Sequence, residues 1–139
     1  MFDNGGPMYC TDCPDTLILP PGDHGPFARI PKRPGSTAAL QFLLLSEHPY
    51  RHTSEDIVAR VAGWREAVSE AEFPDFYWNM RARPHFGLEA SPLVTLYGWA
   101  IHTDEQCRAA LVDPASADFA ALLRVTPMHI TTVHAPHHA

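Results

Sequence analysis

A chain of 139 residues holds one domain and leaves little for a second. With 45% apolar and 19% charged residues it can pack a core, which excludes wholesale disorder. Ten Lys and Arg against 16 Asp and Glu give a net charge of −6, which argues against a nucleic-acid backbone or an anionic membrane as partner.

Residues 1–37 read as an irregular arm. Seven of the 14 prolines lie there (Pro7, Pro14, Pro20, Pro21, Pro26, Pro31, Pro34), beside Gly5, Gly6, Gly22, Gly25 and Gly35. Each proline removes a backbone donor and fixes φ, so a regular helix is forbidden. Thr16 to Leu19 is the one strand-like stretch of the arm. Leu17 to Leu19, Phe27 and Ile30 need burial, so the arm is expected to be tethered to the domain rather than free.

From Ala38 the pattern becomes regular. Ala38 to Leu45 is apolar on both alternating faces, as in a central strand covered on both sides. His48-Pro49-Tyr50 breaks it, and Thr53-Ser54-Glu55-Asp56 opens a helix with a hydroxyl cap and acids in the first turn. Ile57, Val61, Trp64, Val68 and Ala71 then form one helical face, opposite Arg60, Glu66 and Glu70. Pro74 introduces a short second helix, Asp75 to Arg83, which Pro84 stops. Leu93 to His102 and Cys107 to Val112 read as two strands of a hairpin joined by a polar turn. Asp113-Pro114 introduces a helix to about Arg124 with Phe119, Leu122 and Leu123 on its core face, and Met128 to His134 alternates as a last strand.

This order predicts an α+β fold, the ferredoxin-like βαββαβ arrangement: an antiparallel sheet with helices on one face, preceded by the Pro-rich arm. The expected division is arm 1–37, domain 38–134 and a His-rich tail 135–139. The other sheet face would need a cover, either the arm or a second subunit, so a homodimer is one expected partner.

Few residues carry a chemical signature. Cys10-x-x-Cys13 has the spacing of half a zinc site, with His24 as a further ligand. No second knuckle completes it, and the ordinary reading is two thiols in an irregular arm. Four of nine histidines (His129, His134, His137, His138) crowd the last eleven positions, where incidental metal affinity is the ordinary reading. No metal site and no cofactor are therefore expected. Arg51, Thr53 and Ser54 stand at a helix N-terminus, whose free N–H groups favour a carboxylate or phosphate, against simple capping as the plainer duty. His102 ends the aromatic strand beside Thr103, Asp104 and Glu105 and is the candidate general acid or base. Phe76-Tyr77-Trp78 fits no single helical face and reads as a lid or a subunit contact.

Cys13-Pro14-Asp15-Thr16, His48-Pro49-Tyr50-Arg51-His52-Thr53-Ser54-Glu55-Asp56, and Ser91-Pro92-Leu93 with Tyr97-Gly98-Trp99-Ala100-Ile101-His102 form a set. The set resembles a family of small bacterial proteins of unknown function, over roughly residues 10–134. Its members carry Cys-Pro-x-Thr, an Asn-Pro-Tyr-x-x-Thr-Ser-Asp-like segment, and Ser-Pro-Leu followed by Tyr-Gly-Trp-Gly-Ile-His. The chain departs from that pattern at His48, His52 and Ala100. The resemblance implies no activity, but it singles out Tyr50, Thr53, Ser54, Trp99 and His102.

The start, Met1 to Cys10, lacks the regions of a signal peptide, and no run approaches the roughly 18 apolar residues that cross a bilayer. Three cysteines cannot all pair within one chain, so a reducing cytoplasm is expected. The expected function is binding of an anionic small-molecule metabolite through Tyr50, Arg51, Thr53, Ser54 and Trp99. Two alternatives are a small enzyme using His102 and a dimeric structural or interaction protein.

Overall fold

The computed structural model describes residues 11–22 and 28–131. Four short strands form one mixed sheet: β1 (Thr16–Leu19), β2 (Ala100–Thr103), β3 (Ala109–Val112) and β4 (Met128–Thr131). Around it lie α1 (Thr37–Glu47), α2 (Ser54–Arg65), α3 (Phe73–Arg81), α4 (Pro92–Thr95) and α5 (Ala117–Val125). The α+β class is as expected, but the path differs from the ferredoxin-like one.

The first correction is at Ala38 to Leu45, which is the middle of α1 and not a strand. A short run apolar on every side suits a buried helix as well as a buried strand. Here Ser36 decides, because its side chain accepts from the Ala39 N–H at 3.1 Å and nucleates the first turn. The strand that α1 vacates is supplied by the arm. Thr16–Leu19 lies inside the sheet, whose order is β3-β2-β1-β4. β1 is antiparallel to β2 and parallel to β4, so the sheet is not purely antiparallel.

The second correction concerns the faces. Ile18, Ile101 and Ala109 pack against Leu44 and Leu45 of α1, Ile57 and Val61 of α2, and Leu93 and Val94 of α4. Their neighbours Leu17, Ala100 and Val112 point the other way and meet Phe119 and Leu122 of α5. Helices thus cover both faces. The cover on the α5 side is thin, since α5 has no fully buried residue.

Two elements end sooner than their patterns suggest. α2 stops at Arg65, because Ala67 takes a left-handed φ of 58° and the Ala67 and Val68 N–H groups turn back to Trp64 and Gly63. Val68 and Ala71 therefore lie beyond the helix, and Trp64 is 45% exposed rather than in the core stripe. The stretch from Leu93 breaks into α4 and β2. Ser91 caps α4 through the Leu93 N–H, Pro92 opens it, and Gly98 at φ 80° turns the chain into β2.

Candidate functional site

Residues 50–53 run along the outer edge of β3. The Tyr50 N–H donates to the Ala109 carbonyl at 2.9 Å, and the Ala109 N–H donates to the His52 carbonyl at 2.8 Å. This clamp holds Tyr50 at φ 58°, a left-handed conformation unfavourable for a bulky side chain. It also swings the phenol over the sheet. There the Tyr50 hydroxyl meets Nδ1 of His102 at 2.8 Å, with the rings edge to face.

His102 stands in β2 opposite Ala110 of β3 and Leu17 of β1, on the α5 side. Burial lowers its pKa against the fields of Asp104 and Asp15. Burial raises the pKa of Tyr50, helped by Asp104 and Asp118. Both groups are therefore neutral at pH 7. The phenol and Nδ1 share one hydrogen bond, and the imidazole tautomer decides which of them donates.

Tyr50 also lines a groove of about 510 Å³ between β3 and α5. Ala110, Leu111, Val112 and Leu122 supply apolar wall; Asp113, Ser116 and Asp118 supply polar groups. Among the described residues, no basic side chain lines it. The field inside therefore favours positive charge and hydrogen-bond donors.

The remaining nominated residues go elsewhere. Thr53 caps α2, its hydroxyl accepting from the Asp56 N–H at 3.2 Å. Ser54 is buried and accepts from the Leu88 N–H at 3.1 Å. The Glu55 N–H donates to Oδ1 of Asp12 at 2.9 Å. The Glu55 and Asp56 donors of this helix start are thus engaged by the chain itself, and Arg51 beside them is exposed. Trp99 belongs to the core on the α1 side, against Phe42, and its Nε1–H donates to the Arg29 carbonyl at 2.8 Å. Cys13 is half-buried, its thiol donating to the Thr11 carbonyl. Cys10, His24 and the tail 135–139 lie outside the described residues.

A second polar centre went unrecognised in the sequence. The Glu55 side chain is wholly buried and accepts from the Thr11 N–H at 2.8 Å and from the Thr11 hydroxyl. Nε2 of His85 reaches both its oxygens, at 3.0 and 2.9 Å, and Nε of Arg81 lies 3.6 Å away. Nδ1 of His85 faces the Arg83 carbonyl at 2.8 Å. A carbonyl on Nδ1 and a carboxylate on Nε2 favour protonation of both ring nitrogens. Burial alone would lower the His85 pKa, but these bonds raise it. Burial likewise pushes Glu55 upward, and the Thr11 and His85 bonds outweigh it and hold the carboxyl below its ordinary value. Burial raises Asp12. The one sequence signal here, acids in the first turn of a helix, has capping as its ordinary explanation. His85 stands in a loop without pattern.

The fold and the groove define a small α+β domain with a partly enclosed polar site. The chain belongs to a family of unknown function, DUF6157, whose model matches residues 24–135. No curated protein and no solved structure matches it. Among the described residues, no helix is long and apolar enough to cross a membrane.

Proposed function

We propose that the protein binds a small molecule in the groove beside Tyr50 and His102, and that the ligand carries a protonated amine on an apolar body. The observation that carries this reading is the pairing of Tyr50 with His102 at 2.8 Å across 52 positions of sequence, with Tyr50 forming part of a groove whose described residues include two carboxylates and no cation. Asp113 and Asp118 attract the amine, Ser116 and the phenol orient it, and Leu111, Val112 and Leu122 take the apolar part. The ligand class differs from the anion expected at α2, because Asp12 and Thr53 already take the Glu55 and Asp56 N–H groups there. With only three cysteines, a reducing cytoplasm remains the proposed setting.

The test is an NMR titration of the full chain with a panel of small primary amines, using matched carboxylates as controls. Saturable shifts at Tyr50 and His102 with amines alone, weakened in Asp113→Asn and Asp118→Asn, support the reading. No saturation at millimolar amine, or binding indifferent to both substitutions, overturns it.

A second reading is acid–base catalysis on the bound amine. Its support is the neutral imidazole, whose Nδ1 is joined to a phenol that can relay a proton. Turnover that vanishes in His102→Gln while binding persists would favour it over binding alone.

A further inference from the structure

The chain holds a second cavity whose chemistry is the reverse of the groove. It measures about 650 Å³ and is lined by Ala28, Arg29, Ile30, Lys32, Arg33 and Tyr97. Three of the ten Lys and Arg of a chain with net charge −6 thus fall within five residues of one wall. Among the described residues, no carboxylate lines the cavity and none pairs with Arg29, Lys32 or Arg33.

The wall is built rather than incidental. The Arg29 N–H donates to the Tyr97 carbonyl at 2.9 Å, and the Arg29 carbonyl accepts from Nε1 of Trp99 at 2.8 Å. Nη2 of Arg29 donates to the Leu96 carbonyl at 2.5 Å, and the guanidinium lies 4.9 Å from the centre of the Tyr97 ring. An exposed arginine normally samples many rotamers, and ordering it on binding costs entropy. Here the backbone and the ring order it beforehand. A guanidinium has five N–H donors, so those not directed at Leu96 remain for an oxyanion. Lys32 and Arg33 add charge beside it, while Ile30, 60% exposed, and the Tyr97 ring offer a flat apolar surface.

We infer that this cavity is an anion site for a small phosphate monoester with a planar body, its phosphate among Arg29, Lys32 and Arg33 and its ring against Tyr97 and Ile30. Three cations match a dianion better than a single carboxylate. The site shares no lining residue with the Tyr50 groove, so it stands or falls independently of the proposal made there.

Phenyl phosphate and inorganic phosphate are the probes, titrated into the full chain at low salt and followed by tryptophan fluorescence, with Trp99 as the reporter. The expected result is saturable binding of phenyl phosphate in the millimolar range or tighter. The double variant Lys32→Ala/Arg33→Ala should lose at least about tenfold in affinity while melting at the same temperature, since neither side chain makes a hydrogen bond among the described residues. Replacing Tyr97 by leucine should bring phenyl phosphate down to the affinity of inorganic phosphate. Equal affinity of the two probes for the natural chain would overturn the planar-body assignment. Absence of saturation, or a double variant that binds as the natural chain does, would overturn the site itself. A response equal in Arg29→Lys, Lys32→Ala/Arg33→Ala and the natural chain would mean nonspecific ionic binding and overturns it equally.

Discussion

Two histidines of this chain, each joined to an oxygen-bearing side chain, do opposite things. His85 has an acceptor on each ring nitrogen, a buried carboxylate on one side and a carbonyl on the other, and these bonds raise its pKa. His102 has one neutral phenol on Nδ1, and burial lowers its pKa, so it stays neutral. Glu55 beside His85 is sealed by Thr11 and Arg81, whereas Tyr50 beside His102 opens on a groove. The first centre ties residues 11–12 to the start of α2 and to the loop at His85, and is architecture. The second places the Tyr50 phenol, bonded to His102, in the wall of a groove. Residue type alone would not separate them; the number of acceptors and the closure of the walls do.

The largest effect should come from breaking the closed centre. Glu55→Ala leaves His85 and Arg81 without their carboxylate, and removal of one partner from a buried pair costs about 3–5 kcal/mol. Urea unfolding should show a loss of that order. A loss under about 1 kcal/mol, the range of exposed ion pairs, would mean the centre is wet and the contrast drawn above is wrong. Gly87→Ala attacks the same place sterically, because a Cβ there would stand 2.5 Å from Cβ of Thr11. Loss of protection from amide exchange at Thr11 would report it.

Stability should also bend with pH at this centre. Glu55 is depressed below its ordinary 4.5, so its contribution is present above that value and is lost as pH falls through the depressed one. His85 is raised above its ordinary 6.5, so its contribution is full below 6.5 and is lost as pH rises through the raised one. The clasp is therefore strongest between those two ordinary values. Glu55→Gln should flatten the acid limb of a stability profile, and His85→Gln the alkaline limb. A profile in which neither variant differs in shape from the natural chain would remove the ion pair from the account.

The open centre should respond weakly in stability and strongly in binding. Tyr50→Phe removes one hydrogen bond to a half-buried ring, which costs about 0.5–1.5 kcal/mol. It should weaken amine binding by about tenfold, or about 1.4 kcal/mol. The smallest effect lies in the backbone. At φ 58°, Tyr50→Gly should be more stable than Tyr50→Ala by about 1 kcal/mol, because only glycine adopts that conformation freely. Equal stability of the two would mean that the turn relaxes and that the clamp on Ala109 does not set the phenol.

Much of the local structure was legible. The hydroxyl before α2, the proline opening α3 and the hairpin of β2 and β3 each follow from contacts a few residues apart. α1 was misread because an apolar run does not distinguish strand from helix, and its Ser36 cap is the signal that would have. α2 was overextended because Val68 and Ala71 continue its periodicity past a turn that no glycine marks. Of the site, Tyr50 and His102 were both nominated, though nothing in the sequence joined them. Glu55 was explained by its place in the first turn of a helix, and so its burial was invisible.

What the sequence determines by itself is the α+β class, the kinship and the Thr53 cap of α2, since each rests on composition or on neighbours along the chain; the cap expected at Asp113 falls instead to Ser116, where α5 begins. Only the tertiary structure decides the rest. It inserts Thr16–Leu19 of the arm between β2 and β4, brings Tyr50 to His102, and closes Thr11 and His85 on Glu55. Those contacts join residues 52, 44 and 30 positions apart, and their geometry is set by sheet register and by the packing of α2. No periodicity encodes such distances, because each depends on how all the elements close on one core.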